Sequence, residues 1–210
     1  MNMQTLHALD AALFGAAPTL MVPRYGEIPD IAVGAKRFLA AATGLFLEVR
    51  SPVMHACLRL SKIELPYGDA FEFIHLTRGP VPQKFIQETI AKAVAASPNE
   101  MALAIVAGAD EDGYDVIDLP AKNPSSCAIT YEDVVDDDTL VFDIHSHGES
   151  KSFFSSTDDE SDRSRRGPYV ALVFGRCADD STITVNARFC CSPFLINLSI
   201  PALKEFQVIL

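Results

Sequence analysis

The stretch LVFDIHSH, residues 140–147, constrains this chain more than any other. An apolar run of strand length ends in two of the five histidines, His145 and His147, with one residue between them. Strand side chains alternate between faces. Asp143, His145 and His147 are therefore predicted on one face, and Phe142, Ile144 and Ser146 on the other. Two imidazoles at that spacing can bind one metal ion; the site also needs a third ligand and, for catalysis, an open coordination position. No histidine follows position 147, so the third ligand must be a carboxylate, a cysteine or an upstream histidine. Two carboxylates compete. Asp158 also suits a helix start, with Ser155 or Thr157 as N-cap and Ser155-x-x-Asp158 or Thr157-x-x-Glu160 as a capping box. Asp143 equally suits a strand carboxylate that orients an imidazole.

The residues that follow predict a helix over 157–166. Asp158, Asp159 and Glu160 crowd its start and Arg163, Arg165 and Arg166 its end, which complements the helix dipole. Asp159 to Arg163 and Asp162 to Arg166 form i,i+4 pairs of the favoured order, and Gly167-Pro168 stops the helix. Upstream, QKFIQETIAKAVAAS after Pro82 carries Phe85, Ile86, Thr89, Ile90, Ala93 and Val94 on one helical stripe. EMALAIVAG and YDVIDLP read as strands before the loop 120–127; VALVFGR, STITVNARF and LINLSI read as closing strands. Residues 1–79 have a different texture: a helical pattern at 3–14, a proline-bearing loop APTLMVPRYGEIPD, then an antiparallel meander through KRFLAAATG, LFLEVRSP, HACLRLSKIEL and AFEFIHLTRG. His55 and His75 stand alone in that meander and read as structural. The division expected is a β-rich N-terminal domain, 1–79, and a second domain, 80–210.

A net charge of −11 argues against nucleic acid as a partner, because phosphate binding rests on clustered Lys and Arg. No apolar run is long enough to span a bilayer, and the first residues lack the basic and apolar regions of a signal peptide. Five cysteines without a C-x-x-C, two of them adjacent at 190 and 191, read as reduced and mostly buried thiols. The expected compartment is the cytoplasm.

Several metal-hydrolase patterns fail on these residues. FDIHSH has the look of an amidohydrolase opening, but that architecture takes its other ligands from a barrel of about 200 or more residues. H-E-x-x-H is absent, as are the deaminase signature, G-x-S-x-G, the P-loop and G-x-G-x-x-G. The pattern that fits is His145-Ser146-His147, seven residues, Ser155, two residues, Asp158. It resembles the motif of the JAMM/MPN+ (Mov34-like, prokaryotic JAB) metalloproteases at every fixed position. That family also uses an upstream glutamate on a strand that follows a helix, and Glu100, in AASPNEMALAIVAG, is the matching residue. Gly148 stands where many members have proline, and Asp143 where an apolar residue is common.

The resemblance, over roughly 80–210, implies an α+β fold of JAB/MPN type, cytidine-deaminase-like, with a mixed sheet flanked by helices and here a β-rich N-terminal extension. It implies Zn2+ held by His145, His147 and Asp158, Glu100 as general base and Ser155 as oxyanion donor. Ser146 points away from the metal. The implied activity is that of a peptidase or isopeptidase acting on a protein or peptide, such as a ubiquitin-like tail; the short stretch 107–140 leaves no room for the ubiquitin-gripping insertions of specialised eukaryotic members. A non-catalytic scaffold of the same fold is the alternative. The whole chain also resembles the protein A family of bacterial PRTRC cassettes, in which a ThiF/E1-like partner is expected.

Overall fold

The computed structural model describes residues 17–108, 113–119 and 135–209. The helical pattern at 3–14 and the loop 120–127 lie outside the described residues. The fold is mixed α+β, with two mixed sheets and few helices. The chain divides into two compact units, Met1–Ser51 with His55–Ile74, and Pro52–Met54 with His75–Leu210.

The N-terminal unit is built on a sheet ordered β1 (Thr19–Met21), β2 (Lys36–Ala41), β3 (Gly44–Arg50), β4 (Met54–Ser61) and β5 (Phe73–Leu76). β2, β3 and β4 form the expected antiparallel meander. The stretch read as a proline-bearing loop contributes β1, which runs parallel to β2; three residues between prolines carry too little pattern to announce a strand. The core gathers Val22, Leu39, Ala41, Phe46, Cys57 and Ala70. Glu48, buried on the central strand β3, is matched by Arg37 Nε at 2.6 Å and His55 Nε2 at 2.9 Å. That pairing gives His55 its structural role, since a buried charge must be paired to be tolerated. His75 is exposed.

The second unit opens with α1 (Gln83–Ala96), which begins directly after Pro82. Phe85, Thr89 and Ala93 are its buried line, and the Phe85 ring meets Tyr114 edge-on. The sheet then takes β6 (Ala102–Ala107), β7 (Tyr114–Asp118), β8 (Leu140–Ser146), α2 (Ser156–Ser164), β9 (Tyr169–Gly175), β10 (Thr184–Cys191), β11 (Phe194–Leu198) and α3 (Ile200–Glu205). The strand order is β11-β10-β9-β8-β6-β7. β8 and β9 are parallel and the other pairs antiparallel. Both central strands are buried throughout, as expected where two parallel strands are covered on both faces. A parallel pair needs a crossover, and α2 is that crossover. The motif residues therefore cluster at the carboxyl end of β8, where the chain leaves the sheet. α3 was not anticipated; Ser199 caps it and Pro201 sits in its first turn.

The register fixes one face of this sheet. Ala102 pairs with His145, Ala104 with Asp143, Asp143 with Ala171 and Ala171 with Arg188. These residues, with Tyr169 and Cys190, share a face. Three alanines in the row leave room above them. Among the described residues, no helix is long and apolar enough to cross a membrane.

Candidate metal centre

His145 is the penultimate residue of β8, and His147 follows the strand end. The His147 backbone N–H donates to Phe174 O at 2.8 Å, so the extended course continues past the strand along β9. Both imidazoles are largely buried, with ring centroids 5.2 Å apart. The Phe153 ring meets His147 edge-on at 4.5 Å and is itself half exposed. Ser146 points to the other face, is fully buried, and its Oγ accepts the Met101 N–H at 3.1 Å.

Asp158 comes from α2. Ser155 is the N-cap, and the capping box is formed: Ser155 Oγ accepts the Asp158 N–H at 3.2 Å, and Asp158 Oδ2 accepts the Ser155 N–H at 2.6 Å. The cap occupies only Oδ2. Oδ1 faces His145 Nε2 at 3.4 Å. Asp158 thus divides its carboxylate between helix capping and the histidine pair.

Donor atoms of His145, His147 and Asp158 lie within 4.8 Å of one another, the arrangement that could hold a metal ion among the described residues. Asp143 is outside this group. It lies buried 3.6 Å from Arg165 Nε, at the far end of α2. The chemistry of the donor set fits zinc, which takes imidazole nitrogen and carboxylate oxygen. His145 Nε2 is buried and makes no hydrogen bond. A buried polar atom in that condition costs free energy unless something else satisfies it, and a cation between the three side chains would do so.

The electrostatics agree. Burial disfavours the charged form of His145, but Asp158, then Asp143 and Asp162, outweigh it and raise its pKa above the ordinary value. Burial also works against the Asp158 carboxylate, yet His145 and the Ser155 cap hold its pKa well below the usual range. Burial and the neighbouring His145 lower the pKa of His147, which favours the neutral, ligating form.

Glu100 is not among the three clustered donors, His145, His147 and Asp158. Ser146 N–H donates to Met101 O at 3.0 Å; Glu100 is two residues ahead of the last β6–β8 pair, Ala102 with His145, and borders a groove with Lys92, Ala96 and Asp118. Gly148 has φ 53°, which proline cannot adopt, and a Cβ there would meet Pro98 O at 2.1 Å. Glycine at this position lets Pro98 pass against the histidine turn.

Sequence reasoning missed what lies beneath α2. Asp162 does not pair with Arg166. It turns inward, accepting from Tyr169 Oη at 2.8 Å and Arg188 Nε at 2.6 Å, while Cys190 Sγ lies 3.2 Å away. The signal was present: STDDESDRS has no apolar residue with which to face a core.

Residues 82–188 match the family of prokaryotic homologs of the JAB domain. The chain belongs to this family. Ahead of the JAB domain, residues 7–77 match a domain of unknown function, DUF2016. No curated protein matches this JAB-family chain. The solution structure of protein DSY2949 from Desulfitobacterium hafniense is similar to it at 14% identity, over 56% of this chain and 88% of that one, with a TM-score of 0.41.

Proposed function

We propose that this JAB-family chain is a zinc-dependent peptidase or isopeptidase that hydrolyses an amide bond of a protein or peptide, of the ubiquitin-like-tail kind. The observation that carries the reading is the convergence of His145, His147 and Asp158 donor atoms around a buried His145 Nε2 that makes no hydrogen bond. Zinc bound there would supply Lewis-acid polarisation and acidify the attacking water. Glu100, the residue that matches the family's upstream glutamate, would take the proton from that water and deliver it to the leaving amine. Ser155 Oγ accepts from the Asp158 N–H, so its own proton is left to donate to the developing oxyanion. Asp158 Oδ2 stays on the cap while Oδ1 serves the metal.

The partner belongs to the same proposal: a ThiF/E1-like protein of a PRTRC-type cassette, supported by sequence likeness alone. The test is incubation of the zinc-loaded full chain with ubiquitin-like isopeptide conjugates and with unstructured peptides. Cleavage that Glu100→Gln abolishes without loss of zinc supports the enzyme. Stoichiometric zinc without cleavage, together with co-purification of the ThiF/E1-like protein, would instead establish the non-catalytic scaffold.

A further inference from the structure

The helix that presents Asp158 cannot be held in place by hydrophobic packing. α2 reads STDDESDRS, and its one buried residue is Asp162. Nine residues do not sustain a helix alone in water, and the usual attachment, an apolar stripe against the core, is missing. The sheet face below supplies a cation instead. Arg188, in the middle of β10, is only 3% exposed. Its Nε donates to Asp162 Oδ2 at 2.6 Å and its Nη1 to Asp159 Oδ1 at 2.5 Å, while Nη2 also lies against Asp162. Its guanidinium stacks over the Phe154 ring at 3.8 Å.

Phe154 immediately precedes the N-cap Ser155, and Asp159 immediately follows Asp158. One guanidinium therefore grips the chain on both sides of the capping box. Asp159 and Asp162, at i and i+3, share the helix face that meets it. Burial disfavours the charge of Arg188, and Asp162 and Asp159 more than restore it, so the cation remains in place to hold them.

We infer that Arg188 is a positioning residue for the metal centre: its fork through Asp159 and Asp162 fixes α2 so that Asp158 Oδ1 meets His145 Nε2. The inference rests on the metal reading proposed above. Arg188 bonds Asp159 and Asp162 rather than the histidines; it acts through the helix.

The test is zinc affinity of the full chain, by competition with a chromophoric chelator. Arg188→Met is expected to bind zinc about 10–100-fold more weakly, the loss typical when a partner that orients a ligand is removed. Arg188→Lys, which keeps the charge but not the fork, should fall between. Phe85→Ala, on α1, loses stability without touching α2 and should bind zinc as the wild type does, which separates positioning from general destabilisation. A folded Arg188→Met whose affinity stays within about twofold of wild type overturns the inference. Should that variant fail to fold, Asp159→Asn decides, because it removes one arm of the fork at a partly exposed residue. Glu160→Gln removes the same charge from the same helix without a bond to Arg188. Weaker binding in Asp159→Asn than in Glu160→Gln supports the fork, and equal affinities overturn it. Wild type that binds no zinc overturns the metal reading and this inference with it. Zinc held by wild type, lost in Asp158→Ala and unchanged in Arg188→Met overturns this inference alone.

Discussion

Asp158 performs two jobs with two oxygens, and Asp158→Asn beside Asp158→Ala separates them. Oδ2 accepts the Ser155 N–H at 2.6 Å and Oδ1 faces His145 Nε2 at 3.4 Å. Asparagine retains an oxygen for the cap and loses only the charge, so metal-free Asp158→Asn should be destabilised less than Asp158→Ala. Alanine removes the cap partner as well and should cost about 1–2 kcal/mol, a fall in Tm of roughly 2–8 °C for a chain of this size. Both should bind zinc more than about 100-fold more weakly, since a ligand is lost rather than a residue that orients one. At free zinc about 1,000-fold above the wild-type Kd, the metal stabilises wild type by about 4 kcal/mol, and a 100-fold loss of affinity removes about 2.7 kcal/mol of that. The assay is thermal unfolding with and without zinc, paired with elemental zinc content. The reasoning is refuted if Asp158→Asn retains one zinc per chain and the full zinc-dependent rise in Tm. Asp158 would then be a cap, and Asp143 the carboxylate to test.

Three further outcomes follow from the same geometry. Ser155→Ala should lose about 0.5–2 kcal/mol through its cap and about 10²–10³ in turnover, yet keep its zinc, because the Ser155 backbone N–H still holds Asp158; parallel metal analysis and kinetics check this. Ser146→Ala leaves the Met101 N–H without its hydroxyl acceptor and should cost about 1–3 kcal/mol by chemical denaturation with zinc affinity unchanged. The raised pKa of His145 gives a pH signature. Its charged form contributes stability to the metal-free chain that is fully present below the unfolded value of about 6.5 and is lost as pH rises through the higher folded value. Zinc needs the neutral ring, so binding should release protons and tighten with rising pH. Calorimetry in buffers of different ionisation enthalpy measures that release, and its absence through the neutral range would contradict the His145–Asp158 pairing.

How much was legible depended on the range of each interaction. His145 and His147 could be read because strand alternation is local. Ser155 and Asp158 could be read as one of two possible capping boxes, because such a box spans one helical turn; only the family resemblance set Asp158 beside the histidines. Glu100 is different: it lies ahead of β6, past the last pair with β8, where no local pattern ties it to the histidines, and only the family resemblance pointed to it. The predicted helix 157–166 forms as Ser156–Ser164, close to its expected bounds. One of its two expected surface pairs is present, Asp159 with Arg163. The other gave way because an exposed i,i+4 pair is worth only about 0.2–0.5 kcal/mol, whereas Asp162 finds a buried guanidinium, a phenol and a thiol on its other side.

That failure has a physical lesson for the site. A helix with no apolar residue, packed over a sheet face whose row holds Asp143, His145, Arg188 and Tyr169, is stable only when its charges are matched to those below. Arg188 meets it through Asp159 and Asp162, and Arg165, just past its end, lies 2.9 Å from Asp137 and 3.6 Å from Asp143. Breaking one buried partner strands the other, at a cost of about 3–5 kcal/mol, so the helix has little freedom to shift by small steps. An apolar helix could slide over alanines; this one is pinned by directional bonds. The same alanine row that makes room for it leaves His145 Nε2 enclosed with Asp158 Oδ1 as its near neighbour. The polarity of α2, costly for folding, is therefore what gives Asp158 a fixed position relative to the two histidines.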